Sequence, residues 1–222
     1  IYEDKEHAQR NFGVSVTEDQ KYILLSASEG TSGNSLQLAD ISKWKTGKTI
    51  QWKSLAENFE HDYHLVGVIP KGLLFITNNA APNKRLILVD PKNHADDNWI
   101  TLIPEDKSVL ESITLSNNKL IARYLVNVSG KLKIYSLDGK FEKDLELPGI
   151  GMVSGVQSSL KDSILYYSFV SYTFPSRILK VNMKNGKSSV YFKPDIDFDS
   201  DNYETKQVFY TSKDGTKIPM FI

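Results

Sequence analysis

Cysteine is absent from the 222 residues, which excludes disulfide staples, cysteine nucleophiles and thiolate metal sites while leaving the redox compartment open. An excess of either charge is absent too. With 27 basic and 27 acidic residues, the chain carries no overall field to draw it to nucleic acid or an anionic membrane, so neither is expected as a partner. Long hydrophobic runs are lacking, since the longest apolar stretches hold about half a dozen residues against the roughly 20 that cross a bilayer. The opening Ile1-Tyr2-Glu3-Asp4-Lys5-Glu6-His7 has no basic segment followed by an apolar one, so no signal peptide is expected. Apolar spacing of helical period is also scarce, and the one short helical turn it allows lies near Ser54 to Phe59.

What is present is a unit of four short strands, repeated four times. The first unit reads Val14-Ser15-Val16, Tyr22 to Ser26, Leu36 to Asp40 and Ile50 to Leu55. The second reads His64 to Val68, Leu73 to Thr77, Leu86 to Asp90 and Trp99 to Ile103. The third reads Glu111 to Leu115, Lys119 to Tyr124, Lys131 to Tyr135 and Phe141 to Leu147. The fourth reads Val153 to Val156, Ile164 to Phe169, Arg177 to Val181 and Ser189 to Phe192. Asp138-Gly139 and Asn185-Gly186 are hairpin turn signals. The third strands bring Asp40, Asp90, Ser136 and Asn182 into register, a spacing that suits one four-stranded propeller blade per unit. A β-sandwich or ordinary barrel also has many short strands, but neither requires a repeated quartet. The fold class predicted is therefore all-β, a partial β-propeller of about four blades over 1–193, then a connector over 194–203 and a β-hairpin over 204–222.

The connector alternates Asp195, Asp197, Asp199 and Asp201 with Ile196, Phe198 and Tyr203. It lacks the glycine and terminal glutamate of an EF-hand loop and reads as a polar linker. His61 and His64 beside Glu60 and Asp62 have a spacing found in zinc sites but no separated third ligand, so no metal and no cofactor are expected. Trp44, Trp52 and Trp99 read as packing residues between sheets.

The closing hairpin carries Ser212-Lys213-Asp214-Gly215-Thr216 followed by Ile218-Pro219-Met220-Phe221-Ile222. That stretch closely resembles the first hairpin of the catalytic domain in the prolyl oligopeptidase family. Tyr22 to Thr31 and Ser168 to Pro175 are similar to an early and a late propeller strand of the same family. The resemblance implies a propeller capping an α/β-hydrolase domain whose serine, aspartate and histidine cut short peptides after proline. It thus implies two partners, a catalytic domain in the same parent chain and short proline-containing peptides, in cytoplasm or periplasm alike.

The chain itself is expected to have no catalytic residue. No Gly-x-Ser-x-Gly occurs, and Gly151-Met152-Val153-Ser154-Gly155 has its serine one place late. The four histidines, His7, His61, His64 and His94, fall near loops or strand starts and give no triad. Aligned on Tyr22 to Gly30, the family's substrate-facing propeller positions correspond to Phe12, Ser28 and Thr31. Other members carry arginine or cysteine at such places, whereas Phe12 could offer an apolar wall. Four blades cannot close a ring of seven and leave open edges, so pairing with another copy or a strained compact closure is expected. A free-standing propeller that binds proteins is the alternative, and the terminal hairpin argues against it.

Overall fold

The computed structural model describes residues 2–222, apart from the side chain of Asp201. Four antiparallel sheets of four strands and one of two account for the eighteen strands among the described residues. Blade 1 comprises β1 (Asn11–Val16), β2 (Tyr22–Ser28), β3 (Ser35–Asp40) and β4 (Lys53–Ala56). Blade 2 comprises β5 (Tyr63–Ile69), β6 (Gly72–Thr77), β7 (Arg85–Val89) and β8 (Ile100–Ile103). Blade 3 comprises β9 (Val109–Ser116), β10 (Lys119–Val126), β11 (Ser129–Ser136) and β12 (Phe141–Leu145). Blade 4 comprises β13 (Met152–Gln157), β14 (Ile164–Val170), β15 (Arg177–Asn182) and β16 (Ser188–Phe192). The hairpin is β17 (Gln207–Thr211) and β18 (Lys217–Phe221). Each blade pairs its strands in chain order, as the repeat predicts.

The chain divides into two compact units, one ending at Asp106 and the other spanning Lys107–Ile222. In the first, Leu24, Leu36, Leu38 and Leu55 of blade 1 pack on Tyr63, Leu73, Phe75, Ile87 and Val89 of blade 2. In the second, Ile121, Leu132, Ile134 and Leu145 of blade 3 pack on Val153, Leu165, Tyr167, Phe169, Leu179 and Val181 of blade 4. Alternating residues of each strand supply these seams because side chains alternate across the sheet. Each fully buried leucine or isoleucine stabilises by roughly 1.5–3 kcal/mol.

The residues that close the third strands explain why the repeat ends on short polar side chains. Asp40 Oδ1 accepts from the Ser42 amide at 2.8 Å, Asp90 Oδ1 from the Lys92 amide at 2.9 Å and Asn182 Oδ1 from the Lys184 amide at 3.0 Å. Ser136 Oγ accepts from the Lys140 amide at 3.2 Å. Each side chain thereby turns the backbone out of its strand. All four blades also carry a register shift between third and fourth strands, at Leu36/Gln37, Leu86/Ile87, Ile134/Tyr135 and Ile178/Leu179. Such bulges sharpen the local twist.

Two local expectations need correction. The fourth strand of blade 1 begins at Lys53 rather than Ile50, and the segment near Ser54 to Phe59 forms no helical turn. Ser54 and Ala56 instead pair with Gln37 and Leu36, so cross-strand pairing overrides the local preference. Short 3-10 turns occur at Asp96–Asn98 and Ser200–Asn202. Among the described residues, no helix is long and apolar enough to cross a membrane.

Candidate functional site

The strand directions give every blade two ends. At one, the first strand starts and the second strand finishes; at the other lie the turns closed by Asp40, Asp90, Ser136 and Asn182. Ser28 finishes β2 at the former end of blade 1, as Val126 finishes β10 and Val170 finishes β14. Thr31 is exposed in the following bend. Phe12 on β1 is 40% exposed and lies 5.4 Å from the Tyr2 ring.

Those three residues do not form one continuous wall. Phe12 pairs with Ala27 while Ser28 pairs with Asn11, and alternation sets Phe12 and Ser28 on opposite faces of the blade. At this same end of blade 1, where β1 starts and β2 finishes, lies a charged cluster that sequence reasoning missed. Arg10 spans Glu29 at 2.7 Å and Asp4 at 3.0 Å, and its guanidinium lies over the Phe59 ring at 5.1 Å. Burial opposes ionisation of Asp4, but hydrogen bonds from His7 and the Glu6 amide outweigh it and hold its carboxyl below the usual range. Only folding brings Arg10 and Glu29 together, so spacing gave no signal.

His61 and His94 line a cleft of about 560 Å³ in the first unit, with Tyr63 and Trp99 meeting edge to face at 5.7 Å. His64 is exposed on β5. Asp62 is committed to its loop, accepting from the Gly33 amide at 2.8 Å and from Asn78 Nδ2 at 3.3 Å. Among the described residues, no group of three or more metal-ligating side chains gathers. The indole of Trp99 donates to the His94 carbonyl and that of Trp44 to the Lys48 carbonyl, so both tie down their own loops.

In the second unit the hairpin sits at the end of blades 3 and 4 where β10 and β14 finish. Gln207 Nε2 donates to the Asn127 carbonyl at 2.6 Å, and the Phe221 ring lies 5.4 Å from Tyr172. Sequence pattern could not reveal these contacts either, because their partners belong to separate repeats.

Residues 1–194 match the family described as prolyl oligopeptidase, N-terminal beta-propeller domain. The chain belongs to the prolyl oligopeptidase family. It is 36% identical over 214 residues to a prolyl endopeptidase of Elizabethkingia meningoseptica, covering 96% of this chain and 30% of that protein. With a prolyl endopeptidase of Dictyostelium discoideum it shares 31% identity over 237 residues, covering 100% of this chain and 31% of the relative. Among solved structures, the apo form of prolyl oligopeptidase B from Galerina marginata superposes with a TM-score of 0.89 at 28% identity, covering 100% of this chain and 32% of that one. A structure from a study of two prolyl endopeptidases and their inter-domain dynamics gives a TM-score of 0.84 at 28% identity, covering 96% and 31%. The chain thus spans about 30% of the length of these prolyl oligopeptidase relatives, and its residues 1–194 are the part that matches the family's propeller domain.

Proposed function

We propose that this chain is the substrate-gating part of a serine peptidase that cleaves short peptides after proline. In this reading 1–193 are propeller, 194–203 a connector and 204–222 the first hairpin of an α/β-hydrolase domain that supplies the catalytic serine, aspartate and histidine. The observation that carries it is the hairpin seated on the ends of blades 3 and 4. A following catalytic domain would lie against that same end. The relatives named prolyl endopeptidase, about three times as long, support the assignment of chemistry.

The propeller's contribution is steric. A wall of rigid blades admits flexible peptides, excludes folded proteins and shields the reacting centre from bulk water. Phe12 would offer an apolar contact to the peptide, and Ser28 and Thr31 would stand at the rim of blade 1. Cleavage of a chromogenic Gly-Pro peptide tests the reading, with the 222-residue chain run beside the full product of its gene. Activity of the full product and silence of the chain alone are expected. Turnover by the chain itself, blocked by a serine-directed inhibitor, would overturn its purely steric role; a silent full product would overturn the peptidase assignment.

A further inference from the structure

Asn185-Gly186 is the one place in the chain where a glycine follows an asparagine. An asparagine side chain can react with the next backbone nitrogen, and the Cβ of the following residue ordinarily crowds that approach. Gly186 has no Cβ, and its φ of 72° lies in the left-handed region that glycine enters at no steric cost. The pair forms part of the β15–β16 turn of blade 4, at the end away from the terminal hairpin. Both residues are exposed.

The turn acts on this reaction in opposing ways. Asn185 Oδ1 accepts from the Lys187 amide at 3.0 Å, which draws electron density from the side-chain carbonyl and makes Cγ more electrophilic. A Cβ built on Gly186 would stand 3.6 Å from Nζ of Lys143, so an ammonium group from β12 of blade 3 lies beside the nitrogen that must lose its proton. Lys184 and Lys187 flank the pair in sequence. Positive charge so placed favours the anion left when the Gly186 amide is deprotonated. Against this, the Gly186 amide donates to the Asn182 carbonyl at 2.8 Å, which holds the proton back. The Asn182 cap fixes that carbonyl, because its Oδ1 accepts from the Lys184 amide at 3.0 Å.

We propose that Asn185 is a site of spontaneous deamidation, promoted by Lys143 across the seam between blades 3 and 4 and restrained by the Asn182 cap. Hydroxide takes the Gly186 amide proton, the nitrogen attacks Asn185 Cγ, and the Cγ–Nδ2 bond breaks as ammonia leaves with a proton taken from water. Water then opens the cyclic imide at either carbonyl. Opening at Cγ gives aspartate, while opening at the backbone carbonyl gives isoaspartate, whose main chain runs through Cβ and Cγ. The lengthened turn no longer matches the bonds from the Gly186 amide to the Asn182 carbonyl and from the Asn182 amide to the Lys187 carbonyl, so the edge strand β16 loosens.

Incubation of the 222-residue chain in mildly alkaline buffer, folded and in urea, tests the site, with peptide mass spectrometry reading the loss of ammonia and enzymatic methylation reading isoaspartate. Asn185 is expected to change before every other asparagine of the folded chain, and more slowly than in urea. Modification in urea but not in the folded chain would overturn the site. Lys143 is exposed, so Lys143→Gln leaves the core intact and is expected to slow the folded reaction severalfold; an unchanged rate would overturn the promotion. Asn182→Ala is expected to speed it roughly tenfold, the effect of losing about one hydrogen bond. An unchanged rate there would overturn the restraint.

Discussion

Asn34 is buried at 8% exposure and divides its amide between two blades. Its Oδ1 accepts from the Tyr63 amide at 2.7 Å, while Nδ2 donates to the Tyr63 carbonyl at 3.2 Å and to Ser26 Oγ at 3.0 Å. Asn34→Ala leaves both backbone groups of Tyr63 without these partners, and such desolvated groups cost about 1–3 kcal/mol. Urea denaturation of the chain is expected to show a loss of that size. Gly33 has no freedom to change: its φ is +75°, and an added Cβ would stand 1.7 Å from the Phe59 carbonyl oxygen. Val128 points the other way, its exposed side chain sitting on a backbone with φ of 62°. Replacing it with asparagine, which tolerates the left-handed region, is expected to raise stability by up to about 1 kcal/mol, seen as a higher Tm. A lower Tm would mean that the exposed isopropyl group makes a contact worth more than its backbone strain.

At the scale of elements, the hairpin turn is tuned by Asp214. Its carboxylate accepts from the Ser212 hydroxyl and, at 3.0 Å, from the Thr216 amide, which holds its pKa down to about 2. Because the folded value lies below the ordinary one of 3.8, the stabilisation is complete above that ordinary value and is lost as pH falls toward about 2. An NMR titration of the Thr216 amide should show its midpoint near 2, and Asp214→Asn should abolish the transition. A midpoint near 4, the usual range for an aspartate, would mean that the turn does not hold the carboxylate. Strands and turns of this kind were legible in the sequence because alternation and Asp-Gly or Asn-Gly pairs are local signals. Asp40, Asp90, Ser136 and Asn182 were legible as a repeat, though not as hydrogen-bonding caps. The bulges of the fourth strands and the bond from Gln207 to Asn127 depend on pairing with other strands, and no local pattern encodes them. Phe12 and Ser28 were each identified as candidates, but their opposite faces emerge only from strand register.

For the whole molecule, the first and last blades end on open edges with apolar side chains. Val14 and Val16 on β1 are 61% and 51% exposed, and Tyr191 and Phe192 on β16 are 63% and 57% exposed. Open, apolar edge strands invite pairing, so sedimentation of the isolated chain is expected to show concentration-dependent species heavier than the 25.1 kDa monomer. Val14→Lys with Tyr191→Lys should reduce them; a single monomeric boundary at all concentrations for the native chain would contradict the expectation. The side-chain caps on the third strands have a different consequence, one for how such a molecule can grow. Blade 1 follows Asp40 with a long excursion before β4, whereas blade 4 follows Asn182 with a tight turn into β16, yet the same kind of cap starts both. Loop closure becomes only slowly more costly with length, so this end of each blade is a place where evolution, or an engineer, can splice in new sequence while the register of the strands behind it is kept.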